Sequence, residues 1–248
     1  MRTWLLVLLA ACGSTHGAGI DAAGDLGDAR TGSDGPPGPT ADAPACGMLT
    51  AILRDFQTAH PDMEKATGDD RGLVMVGLGG DDKPVYAPAG GTHTVSGKAS
   101  FDQWYRDTAG VNMHFEQPLP LTESPPGTFT FDNQAFFPLD NMGWGNEGDP
   151  HNFHFTTELH GTFTYKGGES FQFVGDDDVW VFVNKKLALD LGGVHGAETG
   201  TIDFDAKAAP LGITVGQTYQ LDVFQAERHT VESHFRMVTT IDCFVVIQ

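Results

Sequence analysis

Apolar and polar positions alternate most clearly over residues 171–191, FQFVGDDDVWVFVNKKLALDL. Val179, Val181 and Val183 alternate with Trp180 and Phe182, so a strand here carries apolar side chains on both faces and is expected to be buried on both. Asn184-Lys185-Lys186 reads as a turn into a second short strand over 187–189. Asp190 then opens a glycine-rich loop, Gly192-Gly193-Val194-His195-Gly196, which returns a carboxylate and an imidazole to the neighbourhood. Immediately before the first strand stand Asp176, Asp177 and Asp178. Three adjacent carboxylates repel one another unless a cation or a set of hydrogen-bond donors neutralises them.

Short runs of the same texture continue along the chain. Residues 48–56, 72–78 and 83–86 read as strands, the last two separated by Gly79-Gly80-Asp81-Asp82, and 60–64 begin a turn or short helix. Residues 100–107 are the helix candidate, with Ser100 as cap and Phe101, Trp104 and Tyr105 on one face. In the second half, 128–131, 153–159, 161–165, 170–174, 200–204, 219–225 and 234–242 are aromatic or β-branched and punctuated by turn signals. The pattern predicts a mainly all-β fold, an antiparallel sandwich or jelly roll with one or two short helices.

Residues 13–45 break this pattern: they are Gly, Ala, Asp, Ser, Thr and Pro with hardly a large apolar side chain. Such a stretch cannot bury enough apolar area to offset its ordering entropy, so it reads as a disordered tether before a single domain over 46–248. With 14 Lys+Arg against 33 Asp+Glu, the net charge of −19 disfavours nucleic acid and anionic lipid as partners and suits cations. Calcium takes carboxylate and carbonyl oxygens, the groups this chain has in excess.

Residues 1–12 carry Arg2 and a short apolar run, too short to span a membrane, and read as an export signal. Leu9-Ala10-Ala11-Cys12 resembles the bacterial lipobox, which implies lipidation of Cys12. Gly13 after it favours the outer membrane by the same resemblance, and any membrane contact is expected through that anchor alone. Lipidation would leave Cys46 and Cys243 at the two ends of the domain. A disulfide between them would be worth about 4–5 kcal/mol on the loop-entropy picture, and export into an oxidising compartment would permit it.

Several motifs fall in one order: residues 101–107 with Gly110-Val111-Asn112, Phe136-Phe137-Pro138-Leu139-Asp140, HNFHFTTE over 151–158, GDDDVWVFVN over 175–184, DLGGVH over 190–195, Ala226-Glu227-Arg228-His229-Thr230, and Ser233-His234-Phe235-Arg236. Together they resemble the fibro-slime domain of exported bacterial and amoebal proteins, across nearly all of 46–248. That family is related to the protective-antigen-type (PA-14-type) β-sandwich of adhesins, toxins and glycosidases. Its sugar-binding members hold calcium with adjacent aspartates, one of them joined by a cis peptide, and the ion ligates sugar hydroxyls. The resemblance puts that pair at Asp176 and Asp177, with Asp178 where the wider fold usually has glycine. Asp190 is a further candidate ligand.

Glu227 and His229 are two apart and share a face if extended, so with His195 they could line a polyol cleft or form a buried polar network. Arg228 is expected to pair with an acid such as Asp222 or Glu232. Trp180 reads as core and Trp144, between glycines, as an exposed stacking surface. The alternative for the aspartates is a hydrogen-bonded turn without an ion. A cupin-like metal centre at His151, His154 and Glu158 fails on spacing, since histidines three apart on a strand point to opposite faces. No serine-hydrolase elbow exists, and the related fold accompanies glycosidases as an accessory module. The expected function is non-catalytic, calcium-assisted binding of extracellular polysaccharide or glycoprotein at a cell surface. The alternatives are an envelope module binding protein partners, or a glycoside hydrolase.

Overall fold

The computed structural model describes residues 46–247. The export signal, Cys12 and the 13–45 tether lie outside them. In chain order the elements are β1 (Met48–Phe56), β2 (Gly68–Asp69), α1 (Lys98–Phe101), β3 (Asn112–Pro120), β4 (Thr122–Glu123), β5 (Phe129–Asn133), β6 (Phe155–Thr164), β7 (Ser170–Gly175), β8 (Asp178–Val183), β9 (Lys186–Leu191), β10 (Gly193–Val194), β11 (Glu198–Asp203), α2 (Phe204–Leu211), β12 (Thr218–Glu227), β13 (Phe235–Thr239) and β14 (Val245–Val246). The fold is mainly β and antiparallel, as the alternation predicts. Among the described residues no helix is long and apolar enough to cross a membrane.

A seven-stranded sheet runs β3-β1-β6-β12-β8-β9, with β14 added to β6, and a five-stranded sheet runs β11-β7-β13-β5-β4. Leu53, Leu159, Val181 and Val223 from the first meet Phe171, Phe173, Phe235 and Met237 from the second in one apolar core. The other face of the seven-stranded sheet is not left to water. Trp180, Phe182 and Phe224 pack there against Leu73, Val74, Tyr86, Phe101, Trp104 and Tyr105, all supplied by the chain between β1 and β3. Hence all six residues of β8 are buried: its valines enter the sandwich and its aromatics enter the outer layer. The β8–β9 connection is a two-residue turn with positive φ at both Asn184 (50°) and Lys185 (61°), the backbone twist that suits a tight hairpin.

Several local expectations need correction. Residues 72–78 and 83–86 do not form strands: a single bridge, Val74 to Tyr86, joins them. Leu73 and Val74 turn inward to the outer layer while Met75 and Val76 are exposed, so no run of paired residues develops. The 100–107 helix is one turn, Lys98–Phe101, entered through Gly97 rather than capped by Ser100, whose hydroxyl donates to the Gly97 carbonyl (2.9 Å). It tightens at once into i to i+3 bonds at Gln103 and Trp104, yet Phe101, Trp104 and Tyr105 are all buried together. The two strands expected over 153–165 are one continuous strand, β6. Besides the two-residue strands β2, β4, β10 and β14, two longer elements lie outside the expected ones. β3 tolerates Pro118 and Pro120 because it is a sheet edge. α2 begins where a strand was expected to end, with Asp203 accepting from the Ala206 amide (3.0 Å) and Gly212 closing it at φ 70°.

Cys46 and Cys243 form a disulfide that joins residues 197 apart. Replacing both by serine is expected to lower unfolding stability by about 2–5 kcal/mol, because the open chain regains the entropy the loop removes. Guanidinium unfolding of parent and double variant measures it, and equal midpoints would refute the expectation.

Candidate functional site

The three aspartates occupy a tight corner between β7 and β8. A Cβ on Gly175 would lie 2.5 Å from the Phe173 ring and 3.0 Å from the His234 carbonyl, so only glycine lets the chain enter this corner. The chain then bends at Asp177, whose φ is 53°. The cis linkage implied by the family resemblance is not used here: among the described residues the only cis peptide is Ser124–Pro125.

The corner sends its three carboxylates to three different places. Asp178 is fully buried and meets Arg228, which donates from Nε (2.6 Å) and brings Nη2 to 2.5 Å of Asp178 Oδ2. Its Oδ1 accepts from the Gly193 amide (2.8 Å). Arg228 is equally buried; its Nη1 donates to the carbonyls of Asp62 (3.0 Å) and Thr94 (2.6 Å), and its guanidinium lies 4.6 Å over the Trp104 ring. Asp177 Oδ2 accepts the Arg228 backbone amide (2.7 Å), and Asp177 donates its own amide to the His195 carbonyl (3.0 Å). Asp176 Oδ2 accepts the His234 amide (2.5 Å) and lies 2.7 Å from its Nδ1.

Beside this corner is a cavity of about 150 Å³ whose wall includes Asp176, Asp177, Glu227, Glu232, His195 and His229, with Thr67, Val194 and Val231. Asp176 Oδ1 and both oxygens of Glu227 are buried with no hydrogen-bond partner. The Ser233 hydroxyl donates to the Phe136 carbonyl (2.7 Å), so its pull on Glu227, like that of the His229 amide, is weaker than the effect of burial. Burial, and then the neighbouring Asp177 charge, push the Glu227 carboxyl well above its ordinary range. Burial lifts Asp177 to about 7, against the pull of Arg228 and with the push of Asp178. Unpartnered carboxylate oxygens in a walled cavity are costly as they stand. A cation entering the cavity could satisfy them only if the side chains closed on it: among the described residues the ligand set already drawn within 4.8 Å is Asp176, Glu232 and His234, not Asp176, Asp177 and Glu227.

Five of the residues singled out in the sequence, Asp176, Asp177, His195, Glu227 and His229, line this one cavity. Three do not. Asp178 is occupied by Arg228. Asp190 accepts from the Trp180 indole (2.9 Å) and from the amides of Gly192 (3.0 Å) and Gly72 (2.8 Å), which makes it the brace of the glycine-rich loop. Trp144 is half-buried, its amide donating to Asp55 (2.7 Å), and it is absent from the cavity wall. Arg228 pairs with neither acid expected for it: Asp222 lies against His160 Nδ1 (2.7 Å), and Glu232 lines the cavity. His151, His154 and Glu158 go separately to Asp140, to Glu64 and to Arg54 with Lys83.

With this geometry in place, comparison with known proteins is informative. Residues 126–242 match the PA14 domain. The broader of the two relationships expected from the motifs is the one found. Relatives include amoebal proteins: protein psiQ of Dictyostelium discoideum is 41% identical over an alignment of 203 residues that covers 76% of this chain and 20% of that protein. Protein psiD of the same organism is 37% identical over an alignment of 212 residues that covers 79% of this chain and 41% of that one. The chain thus spans between a fifth and two fifths of these relatives' lengths. Among solved structures, a PA14 sugar-binding domain from an RTX adhesin overlaps 82% of this chain and 96% of its own at 10% identity and a TM-score of 0.34. The epithelial adhesin 6 A domain of Candida glabrata, solved with Galβ1-3GlcNAc, overlaps 85% and 90% at 14% identity and a TM-score of 0.35. Overlaps this loose carry nothing across to the site of the PA14 region.

Two outcomes follow from the corner and its cavity. Replacing Arg228 by Met leaves Asp178 buried without its cation and is expected to cost about 3–5 kcal/mol, measured by urea unfolding. A loss below 1 kcal/mol would show that the pair is not structural. The second concerns pH. The unfolded chain releases the Asp177 proton near 3.8, whereas the folded, metal-free protein keeps it until about 7. The folded state therefore binds more protons across that window, and this group makes stability fall as pH rises from about 4 to about 7. Unfolding of parent and Asp177→Asn at several pH values tests it: the parent should lose stability relative to the variant as pH rises, and parallel curves would rule it out.

Proposed function

We propose that this chain is an exported, non-catalytic module that binds extracellular carbohydrate with the help of calcium, in cell-surface or matrix adhesion. The observation that carries this reading is the set of buried carboxylate oxygens, Asp176 Oδ1 and both oxygens of Glu227, left without hydrogen-bond partners in one small cavity. Asp176, Asp177 and Glu227 would hold the ion. Calcium bound there would offer its open coordination positions to vicinal hydroxyl groups. Around it the chain's own residues would shape the ligand: Val231, strongly exposed on the rim, offers apolar contact to a sugar face, and His195 and His229 form polar walls. The PA14 match supports the reading at the level of the fold. A disulfide between the domain's ends suits an oxidising compartment, in keeping with export and with an anchor at Cys12.

Calorimetric titration of the full chain with calcium chloride is the test. A single site with Kd of roughly 10⁻⁴–10⁻³ M, the range of extracellular modules, is expected. Asp176→Asn with Asp177→Asn should abolish it, and Glu227→Gln should weaken it at least about tenfold, as loss of even a supporting group at a metal site does. Glycan-array signal should then vanish on chelation. No heat in the parent, with a melting temperature indifferent to chelator, would sink the calcium mechanism. Saturable binding to a protein, unaffected by sugars, would favour the envelope-module alternative.

A further inference from the structure

Asp176 has two oxygens with two different outlooks. Oδ1 is buried and unpartnered, and the residue as a whole is 3% exposed. Oδ2 faces His234, 2.7 Å from Nδ1. Glu232 reaches the same spot from the loop between β12 and β13: its Oε2 is 4.0 Å from His234 Nδ1, and its side chain is 65% exposed. One ligand atom from each of Asp176, Glu232 and His234 can be chosen so that all three lie within 4.8 Å of one another.

We propose that Asp176, Glu232 and His234 form a second cation site, for a borderline transition-metal ion of the zinc class, at the edge of the calcium cavity, whose wall already includes Asp176 and Glu232. The donor set decides the ion. One imidazole nitrogen with two carboxylates suits zinc and its neighbours, whereas calcium favours oxygen alone. Three protein ligands leave a fourth position for water, the arrangement of an open tetrahedral site. The ion would replace the proton between Nδ1 and Asp176 Oδ2. Bonds of about 2.0–2.1 Å to each at a tetrahedral angle need these atoms about 3.3 Å apart, a movement of about half an ångström. Glu232, exposed and without a hydrogen bond to hold it elsewhere, can close onto the ion. The sharing of Asp176 has a regulatory consequence, which rests on the calcium reading: zinc at the second site would withdraw charge from the first, so each ion would weaken the other by the same factor.

The experiment titrates the calcium-free full chain with zinc and, separately, with cobalt, whose visible absorption reports a nitrogen-containing four-coordinate site. One zinc equivalent is expected. Glu232→Gln, at the surface, and His234→Gln, partly buried, both checked for folding by circular dichroism, should each weaken it at least about tenfold. Asp177→Asn, which is outside the second site, should leave zinc affinity within about threefold of the parent while removing the calcium heat. Zinc binding that is equally strong in parent, Glu232→Gln and His234→Gln would place the ion on other histidines and overturn the proposal, as would no binding at all. Because calcium is measured on the same samples, zinc binding lost in Glu232→Gln without any calcium heat would uphold this site and reject the calcium reading alone.

Discussion

Arg228 is a full positive charge with no access to water, and the molecule is arranged around its neutralisation. An isolated buried guanidinium would cost several kcal/mol, so its charge must be answered, although Nη2 approaches Asp178 Oδ2 (2.5 Å) without forming a hydrogen bond. The answers come from four separated stretches: Asp178 at the head of β8, the carbonyl of Asp62, the carbonyl of Thr94, and the face of Trp104. Trp104 in turn donates its indole N–H to Asp62 (3.0 Å), and Asp62 accepts the Ser96 amide (2.7 Å). The chain between β1 and β3 forms almost no regular structure, and it is this charge that gives its loops one place to be. Such a pair adds little net stability over well-packed apolar residues, but any arrangement of those loops that leaves it unmet is excluded by the same several kcal/mol.

The partition of the three aspartates follows. Once Arg228 claims Asp178 by side chain and Asp177 by backbone amide, the corner has no cation left for Asp176 or Glu227. Asp176 is half satisfied by His234, and Glu227 not at all. Burial then holds protons on Asp177 and Glu227 above their ordinary range, so the metal-free cavity is a place where the fold carries unrelieved desolvation. A ligand that supplies charge there is coupled to stability by mass action, because it binds the folded chain and not the unfolded one. Site and fold are therefore two consequences of one shortage of positive charge, in a chain with 14 basic residues to 33 acidic ones.

What the sequence makes legible is whatever one segment decides by itself. The strict alternation of Val179 to Val183 states that β8 is buried on both sides, and it is; the two-residue turn after it is equally local. The disulfide is legible once Cys12 is set aside, because Cys46 and Cys243 then stand at the two ends of the domain. What is not legible is which neighbour a side chain meets. Nothing in Asp176-Asp177-Asp178 says which of the three faces Arg228, because that depends on the phase of a strand that begins at Asp178. Asp190 looks like a ligand until the amides of Gly72 and Gly192 arrive from outside its segment. Glu232 reads from the sequence as a partner for Arg228 but faces the cavity instead. α2 is hard to read although its Asp203 cap and Gly212 stop are present in the sequence, since the strand before it runs to the cap without a break.

The PA14 match starts at residue 126, yet the site does not. Thr67 lines the cavity, and Asp62, Thr94 and Trp104 hold Arg228, all of them before the matched region. β2, from the same stretch, pairs with β10 and fixes the glycine-rich loop: a Cβ on Gly193 would strike the Gly68 carbonyl at 2.5 Å, and Gly193 donates the amide that Asp178 accepts. Without the 57–111 chain, Arg228 would lose the carbonyls of Asp62 and Thr94 and the face of Trp104, and the outer face of β8 would stand in water. The alignment with psiQ covers 203 residues, more than residues 126–248 contain, so the likeness extends back into this stretch. The unit that carries the cavity is thus the sandwich together with its outer layer. A fragment cut to the matched region would keep Asp176, Asp177, Glu227 and Arg228 in sequence but not the outer layer that buries the guanidinium.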